Sequence, residues 1–163
     1  MEPAWGASWA WGLSLIALTI MAHALGVVVI ALALVRLEGR AMPQRHSRRR
    51  AVLLAGAVFG VVGLALAMLH GAEAALWAFA YLGVGAIDSY RQAILYSVDC
   101  MTTRGAVGMQ LETRWQLMGA LEAADGMLLF GTSTAFLFAV MERIGRLAVQ
   151  ARKDRPVRRG HES

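Results

Sequence analysis

The chain has 163 residues, of which 58% are apolar and 17% charged, with a formal net charge of +5. A soluble domain typically carries about 25% charged residues, so a globule with a charged, water-facing surface is excluded first. The positive balance does not indicate nucleic acid either: the basic residues gather in two blocks, Arg36 to Arg50 and Arg143 to Arg159, each directly after an apolar run.

In chain order, the first apolar run, Trp9 to Val35, contains no Lys, Arg, Asp or Glu. Uncharged apolar runs of about 18 residues or more read as bilayer spans. The segment Met1 to Ala10 carries Glu2 and no Lys or Arg. A secretory signal has a positive front end and a shorter apolar stretch, so this run reads as a retained span. Trp5, Trp9 and Trp11 fit an interfacial aromatic belt at its outer end. His23, inside the run, is expected to bond to a neighbouring helix.

The first basic block, with Pro43 as a breaker, reads as an inside loop under the positive-inside rule. The short N-terminus then lies outside. A second span leaves the cytoplasm near Ala51 and runs to Leu69, a third covers Gly126 to Met141, and the tail ends inside. This predicts a multi-pass protein of the cell (inner or plasma) membrane. Its partners are the lipid bilayer and, at the basic blocks, anionic headgroups, with no nucleic acid.

Ala74 to Ile87 is apolar but, at 14 residues, too short to cross alone. It either extends the second span past Gly71 or lies at the interface, and the residues leave both open. Asp88-Ser89 offers an N-cap, and Tyr90 to Met101 reads as a short helix too polar to face lipid. Thr102-Thr103-Arg104-Gly105-Ala106-Val107-Gly108 then reads as non-helical. Irregular backbone near membrane depth is tolerated only when buried in protein or lining an aqueous cavity. A span, a short re-entrant helix, an irregular loop and another span make a pore-loop arrangement.

From Gly71 to Asp125 there are three basic residues (Arg91, Arg104, Arg114) against six acidic ones (Glu73, Asp88, Asp99, Glu112, Glu122, Asp125). Such a balance suits either a cation-concentrating mouth or a solvated outer surface. Glu122 and Asp125 read as dipole-complementing residues near the start of the last span, with a cation pathway as the other reading. Gly126 and Gly131 suit close helix packing or a gating hinge, and Gly60-Val-Val-Gly63 and Gly83-Val-Gly85 suit packing.

Tyr96-Ser-Val-Asp-Cys-Met-Thr-Thr103, Trp115-Gln-Leu-Met-Gly-Ala-Leu-Glu-Ala-Ala-Asp-Gly126 and Phe130-Gly-Thr-Ser-Thr-Ala-Phe-Leu-Phe138 resemble, in order and spacing, the pore domain of the potassium-channel superfamily. The likeness is to its small bacterial two-helix members, and it covers about 76 to 143. It implies a pore helix at 89–102, a filter-like loop at 102–109 and an inner helix at 122–143, with Asp99 and Trp115 as filter supports.

The family continues Thr-Thr with a hydrophobic residue and then Gly-Tyr-Gly-Asp, where this chain has Arg104, Gly105, Ala106, Val107 and Gly108. A β-branched Val107 at a position that needs positive φ would be strained, so potassium selectivity is not carried over. In the family fold the side chain at Arg104 points away from the axis, which predicts an ion pair with Asp99. The rival placement gives four positive charges around the axis of a tetramer.

Cys100 is the single cysteine, so no disulfide forms within the chain. His23, His46, His70 and His161 show no metal-ligand spacing, and neither a metal nor another cofactor is expected. Ser133 and Thr134 have no neighbouring base in sequence, and no phosphate-cradling Gly-rich loop is present, so no enzyme is expected.

The sequence thus predicts an all-α integral membrane protein with three transmembrane helices plus a re-entrant pore helix and filter-like loop. Its parts are an N-terminal helix with a basic loop (1–50), the pore-like domain (51–145) and a basic tail (146–163). The expected function is a homotetrameric cation channel with altered selectivity, monovalent cations being the permeant ions. The alternative is a non-conducting relative that serves membrane assembly or regulation.

Overall fold

The computed structural model describes residues 3–41, 48–105 and 108–153. They form four helices: α1 (Pro3–Ala41), α2 (Arg48–Gly83), α3 (Tyr90–Met101) and α4 (Gln116–Lys153). Three of them contain stretches long and apolar enough to cross a membrane: Gly6–Leu37, Val52–Gly83 and Gln116–Leu147, each of 32 residues. At 1.5 Å per residue such a helix is about 48 Å long, more than the roughly 30 Å hydrocarbon core, so its ends reach the headgroups or the helix tilts.

Burial is reversed relative to a water-soluble protein. Met21, Leu25, Val29, Val61, Leu64 and Met68 are all more than 60% exposed, whereas His23, Glu73, Glu122 and Asp125 are at most 2% exposed. Lipid tails solvate the first group and exclude the second. This distribution, with the three long apolar helices, is that of a multi-pass membrane protein.

Element boundaries differ from the sequence reading at α1 and α4, and α2 takes one of the two courses that reading left open. The basic segment after Val35 was expected as loop from Arg36, but α1 continues through Arg36-Leu-Glu-Gly-Arg-Ala41. Arg, Leu and Glu are good helix formers, and charge alone does not end a helix. Pro43, the expected breaker, lies outside the described residues. Helix α2 runs unbroken past Gly71 to Gly83, so Ala74 and the residues after it extend the second span. Helix α4 starts at Gln116 and ends at Lys153, beyond the expected 122–143 at both ends, because apolar content marks only the part a bilayer needs. The expected tail is therefore helical from 146 to 153.

Helix α3 matches the expected Tyr90–Met101. Ser89 is its N-cap in extended conformation but makes no side-chain capping bond. Its backbone carbonyl accepts from Ala93 N at 2.8 Å. The turn from α2 is closed by Val84 N to Ala80 O (2.9 Å) and Ala86 N to Tyr81 O (2.9 Å), with Gly85 at φ +66°.

The helices pack around two apolar clusters. The larger brings Leu15 of α1, Trp77, Ala78 and Tyr81 of α2, Ala93, Tyr96 and Met101 of α3, and Met118 and Leu129 of α4 together. The smaller joins Val62 and Leu66 of α2 to Val140 of α4, with Val27 and Ile30 of α1 against them. Between these clusters the buried side chains are polar: Thr19 and His23 on α1, His70 and Glu73 on α2, and Ser133 on α4.

Candidate functional site

On α1 the buried positions Ser8, Gly12, Leu15, Thr19 and His23 recur every three or four residues and form one face. Helix α2 presents His70, Glu73, Trp77 and Tyr81 at the same spacing, and α4 presents Glu122, Asp125, Leu129 and Ser133. These three faces meet in a seam of three hydrogen-bonded tiers.

The innermost tier is a closed ring. His23 Nδ1 lies 2.8 Å from Glu73 Oε1, and His70 Nδ1 lies 3.1 Å from Glu73 Oε2. Ser133 Oγ bridges the other nitrogens, 3.2 Å from His23 Nε2 and 3.1 Å from His70 Nε2. The imidazoles sit with centroids 5.2 Å apart, and His70 stacks on Phe130 at 4.2 Å. All four ring members lie near the midpoints of the three spans.

In the next tier Asp125 Oδ2 accepts from Thr19 Oγ1 at 2.6 Å and from Trp77 Nε1 at 3.0 Å. Asp125 Oδ1 is buried and has no hydrogen-bond partner among the described residues. In the third tier Glu122 accepts from Tyr81 OH at 2.7 Å and from Ser97 Oγ, which also contacts Ala74 O. Tyr96 meets Tyr81 edge-on at 5.1 Å. Ser97 thus ties α3 to the polar seam.

Glu122 and Asp125 do not act as dipole-complementing residues. The first turn of α4 holds no acidic residue, since the helix begins at Gln116, and the dipole effect fades within one turn. Glu73, Glu122 and Asp125 are buried in the seam, so of the six acidic residues counted towards an outer mouth only Asp88, Asp99 and Glu112 remain outside it. His23 does bond to neighbouring helices, as its position in an apolar span predicts.

The segment after α3 is built differently. Thr102 N donates to Val98 O (3.0 Å), Thr103 N to Cys100 O (2.8 Å) and Gly105 N to Asp99 O (3.2 Å), so the chain leaves the helix through tight turns. Thr103 (φ +57°), Gly105 (φ +76°) and Gly108 (φ +87°) are all left-handed. For the β-branched Thr103 this is strained backbone. The expected strain at Val107, and the position of Ala106, lie outside the described residues.

Arg104 Nη1 lies 3.2 Å from Asp99 Oδ1, the pairing expected from sequence. The Arg104 side chain is 71% exposed in the single chain. Trp115 is buried with Arg114 stacked over its ring at 5.5 Å, and its indole N–H has no acceptor among the described residues.

Gly126 lies against the end of α3: an added Cβ would collide with Met101 O and come within 2.8 Å of its carbonyl carbon. The glycine is a packing contact here. Gly131, Gly60, Gly63, Gly83 and Gly85 have nothing within 4 Å of an added Cβ, so none of them serves packing inside the chain. Between the end of α3 and α4 runs an open groove of about 380 Å³ lined by Met101, Thr102, Thr103, Met127 and Phe130.

The seam is what the sequence reading missed. Its signal is present: His70-x-x-Glu73-x-x-x-Trp77-x-x-x-Tyr81 places four polar-tipped residues on one face of an otherwise apolar helix. Comparison with protein-family models, with curated proteins and with solved structures finds no match to this chain.

Proposed function

We propose that the chain is one subunit of a homotetrameric, channel-like assembly in the cell membrane, passing monovalent cations with weak selectivity. The observation that carries this reading is the groove at the end of α3. A helix C-terminus bears roughly half a negative charge on its free carbonyls, and Met101 and Thr102, at that end, line the groove together with Met127 and Phe130 of α4. The groove is open on one side. Copies related by a closed rotation axis would complete its wall and shelter the irregular backbone that follows. In this reading α3 is a re-entrant pore helix, 102–109 the filter-like loop, and the N-terminus lies outside with the C-terminus in the cytoplasm.

The test is flux in liposomes containing the purified protein. Potassium and sodium should both pass well above empty vesicles, and chloride should not.

A second reading is favoured by one observation, the exposure of Arg104 beside that groove. Four such guanidinium groups around an axis repel cations, and the assembly would then be a non-conducting structural or regulatory subunit. An intact tetramer with no cation flux selects this second reading. A monomer contradicts both.

A further inference from the structure

We propose that His23, His70 and Glu73 form a binding site for a divalent transition-metal ion of the zinc type, with Ser133 orienting both imidazoles. The site sits at the middle of the three spans, apart from the groove at the end of α3, and does not depend on the oligomeric reading.

The donor set comes first. Each of the three residues offers one ligand atom, and these atoms all lie within 4.8 Å of one another. Two imidazole nitrogens and one carboxylate oxygen suit zinc and its first-row neighbours, whereas calcium and magnesium take oxygen donors. A tetrahedral zinc with bonds of about 2.0–2.1 Å spaces its ligands by roughly 3.3 Å. Glu73 stands 2.8 Å from His23 Nδ1 through Oε1 and 3.1 Å from His70 Nδ1 through Oε2. A bound ion would take the place of these two contacts, with one carboxylate oxygen as its ligand.

The hydrogen positions come second. A metal bound at both Nδ1 atoms leaves a hydrogen on each Nε2. Both Nε2 atoms face one acceptor, Ser133 Oγ, at 3.2 and 3.1 Å. A hydroxyl oxygen has two lone pairs and accepts both bonds. That is the outer support that fixes tautomer and ring orientation in metal-binding histidines.

Tag-free protein in detergent, stripped with a chelator and titrated with Co²⁺, tests the proposal. The expected result is one Co²⁺ per chain with the visible absorption of a four-coordinate ion, displaced by Zn²⁺ and untouched by Mg²⁺ or Ca²⁺. His70→Ala and Glu73→Gln should weaken binding at least a hundredfold.

Because those variants also remove a buried partner, Ser133→Ala provides the second measure. It keeps all three donors and should bind about ten- to a hundredfold more weakly while eluting as the wild type does. A double variant, His46→Gln with His161→Gln, should bind unchanged. The proposal is overturned if folded wild-type protein takes up no stoichiometric Co²⁺ or Zn²⁺, if binding survives in His70→Ala and Glu73→Gln, or if only the double variant loses it. Unchanged binding by folded Ser133→Ala overturns the role given to Ser133.

Discussion

The polar seam and the segment after α3 contain the same kinds of residues, yet the first is buried between helices of one chain and the second is exposed. In the seam, Glu73, Glu122 and Asp125 are at most 1% exposed and each receives hydrogen bonds from other helices. After α3, Arg104 and Asp99 pair at 3.2 Å with the Arg104 side chain largely in the open, next in sequence to Thr103 of an open groove. Polar groups facing hydrocarbon are so unfavourable that they must find partners. In the seam the partners lie within one chain. Around the groove the proposed neighbouring copies would supply them.

The largest expected effect tests the completeness of the seam. Glu73→Ala removes the acceptor for two buried imidazoles, and breaking such a buried, charge-assisted pair costs about 3–5 kcal/mol. Heat or denaturant unfolding of the detergent-solubilised protein should show it as the least stable variant, and a loss below about 1 kcal/mol would mean the ring is not closed in the folded protein.

Gly126→Ala forces a methyl against the Met101 backbone and should cost about 1–3 kcal/mol by the same measurement. Gly131→Ala meets nothing and should gain up to about 1 kcal/mol of helix propensity. Equal responses at the two sites would favour a hinge over packing. Tyr81→Phe deletes one bond to Glu122 and should cost about 1–2 kcal/mol, a loss that Ser97→Ala should not simply add to, because both donate to the same carboxylate. The smallest effect belongs to Arg104→Ala, under about 1 kcal/mol, because exposed ion pairs contribute little. A loss comparable to that of Glu73→Ala would show that Arg104 is buried in the assembled protein.

Much of the scaffold was legible from residues alone. The uncharged runs located three spans, and Tyr90 to Met101 was bounded correctly because Ser89 before it and Thr102-Thr103 after it are end signals. The Arg104–Asp99 pair was expected only through the family resemblance, and the two side chains do lie 3.2 Å apart. The seam was not legible, for a physical reason. His23 and Glu73 are 50 residues apart and His23 and Ser133 are 110 apart, so their meeting depends on how three helices turn their faces. A search for metal ligands by linear spacing fails there. Periodicity of polar residues within each apolar run would have marked the faces, though not their register against one another.

The contrast rests most directly on how many chains share the groove. Native mass measurement of the protein in lipid nanodiscs reads that number without assuming conduction. Four chains per particle is the result the proposed assembly predicts, with neighbouring copies covering the open groove lined by Thr102, Thr103 and Phe130. A single chain per particle, stable on dilution, would contradict the account.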